Sequence, residues 1–152
     1  MISISEQEKC LKSCLLFRGM AAEDITLLAE SMETESFVEK EVVCRYGDEA
    51  DRLYVVMAGR LAVFLNGEAG PVQHLEAGDI FGEYGMFVGT RLATVMAEKE
   101  SILLTLDYGR CRAFLLARPA ALMELMAVTT RRLRDAEERL HASSAGSAAR
   151  GQ

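Results

Sequence analysis

The chemically capable side chains concentrate in one stretch, Gly78-Asp79-Ile80-Phe81-Gly82-Glu83-Tyr84-Gly85-Met86-Phe87-Val88-Gly89-Thr90-Arg91-Leu92-Ala93-Thr94-Val95. Its four glycines allow a tight path and let backbone approach a ligand closely. Gly82 and Gly85 bracket Glu83, and a short helical turn starting there would point free backbone N–H groups outward, toward an anion. Arg91 follows and can offer a planar two-pronged fork to phosphate oxygens. Glu83, an acceptor only when ionised, suits a ligand hydroxyl such as a ribose 2′-OH. Amides, an arginine and a carboxylate together match a ribose phosphate.

Blander chemistry competes for the same residues. Glu83 and Arg91 could pair with each other or with neighbours on a solvated loop. Asp79 and Glu83 could be taken as two catalytic carboxylates, but no nucleophile, base or metal set accompanies them, so no enzyme is expected. The glycine spacing is neither a dinucleotide fingerprint nor a Walker A loop. Tyr84 reads more simply as a packing residue than as a base-stacker. Cys10, Cys14, Cys44 and Cys111 form no C-x-x-C pair, and His74 and His141 lie far apart, so no metal and no cofactor is expected.

The elements that must position this stretch follow from patterning. The 152 residues, half of them apolar, suffice for one domain with a real core. The net charge of −6 disfavours nucleic acid as a partner. Met1 to Lys9 is polar and carries two glutamates, unlike a secretory leader, which points to a cytoplasmic protein with reduced thiols. No apolar run approaches the roughly 20 residues of a membrane span.

Cys10, Leu11, Cys14 and Leu15 recur at helical spacing, as do Ile25, Leu28, Ala29 and Met32, which predicts two short helices within 8–34. From Ser36 the character becomes β. Leu53 to Met57 and Leu61 to Leu65 are apolar runs, the second closed by Asn66-Gly67, a hairpin signal; Val72–Leu75, Ala93–Ala97 and Ile102–Leu106 follow. Short strands with glycine turns over 36–107 suggest a barrel, roll or sandwich. The helical period returns over 110–141, with Pro119 suited to a helix first turn. Leu122, Met126, Thr129, Leu133, Ala136 and Leu140 form a heptad seam that suggests a homodimer through this helix. Methionines 57, 86, 96, 123 and 126 read as core and seam filler. The Ala/Ser/Gly tail over 142–152 reads as disordered.

The central stretch resembles the phosphate-binding cassette of the cyclic nucleotide-binding domain family: Phe81-Gly82-Glu83, Gly85, then Arg91-Leu92-Ala93-Thr94-Val95. The flanks are similar too, in Leu15-Leu16-Phe17, in Gly47-Asp48 with Asp51 to Gly59, in Gly78-Asp79, and in Arg118-Pro119 with Arg131-Arg132-Leu133 of the catabolite-activator branch. The resemblance implies an α+β, mainly β fold over 1–141. Its centre is an antiparallel double-stranded β-helix, a jelly-roll-like β-roll of eight strands, with short N-terminal helices, a hinge and a long C-terminal helix. It implies that Phe81, Gly82, Glu83, Tyr84, Arg91, Leu92 and Ala93 bind the ligand, with Arg91 on the cyclic phosphate and Glu83 on the ribose, and that Arg131 or Arg132 serves as lid. Three positions depart from the pattern. Lys40 replaces a frequent glycine, the stretch from Phe87 to Arg91 is short and lacks a proline, and Leu92 stands where Ala, Ser or Thr is usual. Leu92 lacks the hydroxyl that favours guanine, so the expected ligand is cAMP before cGMP. The expected function is a stand-alone sensor acting on an effector protein. The alternative is a nucleotide-free roll used for dimerisation or docking.

Overall fold

The computed structural model describes residues 2–150, with side chains described for 2–142. Two helices open the chain, α1 (Ile4–Ser13) and α2 (Ala22–Ser31). Eight strands follow: β1 (Glu33–Phe37), β2 (Val42–Cys44), β3 (Arg52–Ala58), β4 (Arg60–Phe64), β5 (Gln73–Glu76), β6 (Ile80–Phe81), β7 (Thr94–Ala97) and β8 (Ser101–Asp107). The short α3 (Gly85–Val88) sits between β6 and β7, and α4 (Tyr108–Leu116) and α5 (Pro119–Arg150) close the chain. The strands form two antiparallel four-stranded sheets, ordered β1-β8-β3-β6 and β2-β7-β4-β5. This is the α+β, mainly β roll that the patterning and the resemblance led us to expect.

Two cores share the first sheet. Inside the roll, Phe37, Tyr54, Val56, Leu61, Leu75, Phe81, Val95, Ala97 and Leu103 cluster. On its outer face Leu53, Val55, Leu104 and Leu106 meet Leu11, Phe17, Ile25, Leu28, Phe114, Leu115 and Leu125 from the helices. Alternate residues of β3 point to opposite faces, and both faces are covered, so after Arg52 the strand is a continuous run from Leu53 to Ala58 instead of alternating apolar and polar. Gly59 alone turns the chain from β3 into β4 of the other sheet. At its φ of +102° an added Cβ would lie 2.6 Å from the Ser101 Cα, so only glycine fits.

Several boundaries differ from expectation. The first helix starts at Ile4, not 8, because Ser3 and Glu6 form a reciprocal capping box. The strand expected from 36 starts at Glu33, paired to β8. Asn66-Gly67 does not make a two-residue hairpin: β4 ends at Phe64 and β5 starts at Gln73, so these residues form one turn of a longer loop. The helix expected from 110 starts at Tyr108, because the Asp107 side chain accepts from the Arg110 amide at 2.9 Å. The tail expected to be disordered continues α5 as far as Arg150, in keeping with its alanines; Gly151 and Gln152 lie outside the described residues.

Lys40 keeps the conformation its glycine counterpart would have, with φ at +72°. A side chain in the left-handed region costs on the order of 1 kcal/mol. Lys40→Gly is therefore expected to raise the melting temperature by roughly 2–4 °C, read by calorimetry of the ligand-free protein. A lower melting temperature would mean that Lys40 makes a compensating contact.

The seam of α5 is nowhere fully buried: Leu122, Thr129 and Ala136 are half-buried, and Met126, Leu133 and Leu140 are exposed, while the buried residues of the helix, Ala121 and Leu125, lie off the seam. Met123, expected as filler, is also exposed. Among the described residues no single helix is long and apolar enough to cross a membrane.

Candidate functional site

Strand β6 delivers the chain to the site. Phe81 stacks on Tyr54 with ring centroids 4.7 Å apart and planes at 11°, which fixes where Gly82 begins its turn. Gly82 has φ +88°, and a Cβ there would fall 2.7 Å from Arg91 Nη1, so the missing side chain is what lets the guanidinium approach. The turn runs into α3 through Glu83 and Tyr84. Among the described residues the amides of Glu83 and Tyr84 have no protein acceptor.

Arg91 is only 6 % exposed. Its Nη1 donates to the Tyr108 hydroxyl at 3.0 Å and its Nη2 to the Arg52 carbonyl at 2.9 Å. Its guanidinium carbon lies 5.3 Å from the centroid of the Tyr54 ring. The arginine therefore turns inward, held in place by protein partners. Glu83 is completely buried. It does not pair with Arg91. Its Oε1 accepts from Arg132 Nη1, while Arg132 Nη2 donates to the Ile80 carbonyl, and its Oε2 has no hydrogen-bond partner. Of the two lid candidates, then, Arg132 reaches the cassette. Arg131 does not line the main cavity; with Arg132 it borders a smaller cavity of about 220 Å³ near Cys14 and Leu16.

The main cavity, about 430 Å³, lies within the size range of small-molecule pockets. Gly82, Tyr84, Arg91, Leu92 and Ala93 form one wall, and Val63, Leu65, Val72 and Leu75 from β4, β5 and their loop form an apolar wall. Arg132, Asp135, Ala136 and Arg139 of α5 close it. Leu92 on this wall remains 43 % exposed. Phe81 also lines the cavity; Glu83 does not, lying under Arg132.

Five of the residues chosen from the sequence thus meet at one wall, joined by Phe81, with Glu83 just behind. Of the α5 contributors, Asp135 and Arg139 are not among the residues singled out from the sequence and Ala136 is expected there on the seam, although with Arg132 the three share one helical face by their spacing of 3, 1 and 3. Tyr108 also went unnoticed, and nothing local in the sequence marks it. Burial pushes the Tyr108 phenol up to about 12, with Arg91 pulling it back. Burial likewise raises the Cys44 thiol at the cavity wall and pushes Cys14 and Cys111 up to about 11, so these thiols stay protonated near neutrality.

This geometry has relatives. A family model described as the cyclic nucleotide-binding domain matches residues 34–118, more than half of the chain. The cyclic AMP receptor protein of Thermus thermophilus is 28% identical over 131 residues, covering 84% of this chain and 61% of that protein. A cAMP-dependent protein kinase regulatory subunit of Blastocladiella emersonii is 38% identical over 96 residues, covering 60% of this chain and 24% of that one. The chain thus spans less than two thirds of each. Among solved structures, the Thermus thermophilus catabolite activator protein superposes with a TM-score of 0.76 at 28% identity, covering 85% of this chain and 62% of that one. The cassette, the roll around it and these matches agree: the chain belongs to the cyclic nucleotide-binding domain family.

Proposed function

We propose that the chain is a sensor domain, a binding module and not an enzyme, that takes cAMP in preference to cGMP. One observation carries this reading: Arg91 and Glu83 are both buried, and both have capacity left for a ligand. A guanidinium has five N–H groups; the protein partners of Arg91 take two, which leaves three for an anion. Glu83 keeps one unpartnered carboxylate oxygen, and a buried acceptor of that kind calls for a donor such as the ribose 2′-OH. The base then lies against the apolar wall of Val63, Leu65, Val72 and Leu75, under α5. Leu92 offers no hydroxyl to guanine, hence the preference for cAMP.

In this reading the ribose reaches Glu83 only as Arg132 yields or shifts, so ligand and α5 are coupled through one carboxylate. Ligand can move the helix only by binding the two arrangements unequally. The test is titration calorimetry with cAMP and with cGMP, together with mass spectrometry of nucleotide carried through purification. Heat with cAMP exceeding that with cGMP supports the reading. No heat and no thermal stabilisation with either at millimolar concentration overturns it, and leaves the roll as a docking module.

The domain acts as a homodimer in a cytoplasmic setting, passing its state to an effector protein. Met126, Leu133 and Leu140 recur every seven residues and are 56 %, 57 % and 69 % exposed, an unburied stripe on the face of α5 that a second copy would cover. Leu133→Asp is expected to weaken self-association at least 10-fold, seen by sedimentation across a concentration series, while leaving cAMP affinity nearly unchanged. A wild-type chain that is monomeric at every concentration would remove this assignment. The net charge of −6 argues against nucleic acid as a partner of this chain.

A further inference from the structure

We infer that Tyr108 is a positioning residue that holds Arg91 and the Gly82 turn in the geometry a phosphate requires. The inference rests on the nucleotide reading above and adds to it a residue outside the cassette that does not line the cavity.

Tyr108 is the first residue of α4, and its backbone is pinned where strand β3 begins. Its amide donates to the Asp51 carbonyl at 2.9 Å, beside the Arg52 carbonyl that accepts from Arg91. Its side chain is buried among both halves of the cradle. The hydroxyl accepts from Arg91 Nη1 at 3.0 Å and donates to the Gly82 carbonyl. A phenol has one proton to donate, so these two bonds set its orientation. Its ring lies 5.9 Å from the Arg91 guanidinium carbon. Gly85 makes room for it: a Cβ at that position would collide with the Tyr108 hydroxyl and with the Ala50 side chain.

The consequence for Arg91 is geometric. The bonds to Tyr108 and to the Arg52 carbonyl engage one N–H on each terminal nitrogen, which fixes the plane of the guanidinium. Without the hydroxyl, one bond remains and the plane can turn about it. The Gly82 carbonyl would also lose its partner, which loosens the turn whose amides face the phosphate. Burial keeps the phenol protonated well above neutral pH, as donation to a carbonyl demands.

The test is Tyr108→Phe in the full chain, which keeps the ring and removes only the hydroxyl. By calorimetry, cAMP affinity is expected to fall about 10- to 100-fold, as for loss of bonds to a charged group. Affinity for adenosine, which has the ribose and base but no phosphate, is expected to stay within about twofold. A second readout needs no ligand: the Arg91 Nε–Hε resonance should be sharp in the wild type and broadened in Tyr108→Phe. Gly85→Ala, which pushes on the hydroxyl from the other side, should broaden it too and serves if the phenylalanine variant does not fold. Unchanged cAMP affinity, an equal fall for cAMP and adenosine, or an unaltered Arg91 resonance would each overturn the positioning role. If the wild type binds neither cAMP nor cGMP, the nucleotide reading fails instead, and the resonance still decides whether Tyr108 orders Arg91.

Discussion

Arg91→Ala is expected to weaken cAMP binding at least about 100-fold and to abolish the thermal stabilisation that millimolar cAMP gives the wild type. The size follows from what the side chain is placed to do. Hydrogen bonds to charged groups are worth about 1.5–3 kcal/mol each, and a guanidinium with three free N–H groups can make two of them to one phosphate. Arg91 itself is only 6 % exposed, so its bonds are made in a setting where they are screened less than at the surface. Arg91→Lys separates charge from shape. Lysine keeps a cation, but its three N–H groups sit on one nitrogen and it lacks the planar fork whose separate nitrogens reach the Tyr108 hydroxyl and the Arg52 carbonyl, so it should recover only a small part of the affinity. Calorimetry on the three proteins checks both. An alanine variant that binds like the wild type would show that the phosphate, if it binds, lies elsewhere.

Arg132→Ala is expected to act mainly on stability. It strips the partner from a carboxylate that has no exposure and whose second oxygen already lacks one. Breaking a buried ion pair from one side costs about 3–5 kcal/mol, because the remaining charge stays uncompensated. Arg132 is itself only 19 % exposed on its side chain, so solvent screening removes little of that. The melting temperature should fall by about 10 °C, and α5 should become sensitive to protease. Adding Glu83→Gln to Arg132→Ala removes the stranded charge and should return a good part of the loss. The contrast between the single and double variants is the measurement. If Arg132→Ala melts like the wild type, Arg132 does not latch the helix to the cassette.

Together the two arginines tie the site to the C-terminal helices. Arg91 is held by the roll and by the first residue of α4, and Arg132 belongs to α5 yet grips Glu83 of the cassette. A ligand that engages both Arg91 and Glu83 therefore meets the roll and the two C-terminal helices at once.

Taken alone, the residue order determined the elements that depend on local chemistry. Gly82 declared a turn because no other residue accepts its φ of +88° beside an arginine. The apolar run of β3, the proline opening α5 and the grouping of Gly82, Glu83 and Arg91 were all legible, since each rests on a residue's own conformational or chemical preference, whereas Phe81 joined them only through the family resemblance. The capping box at Ser3 and Glu6 was equally local and simply went unread.

Folding alone could decide which faces are covered. The seam of α5 runs through Leu122 and Leu133 alike, and spacing cannot say that the first is half-buried while the second faces out. Likewise Glu83 and Arg91, eight apart, are joined not to each other but to Arg132 and Tyr108, which lie 49 and 17 positions away. Such partnerships arise from packing between distant segments, and a pattern with a period of two or 3.6 residues holds no record of them.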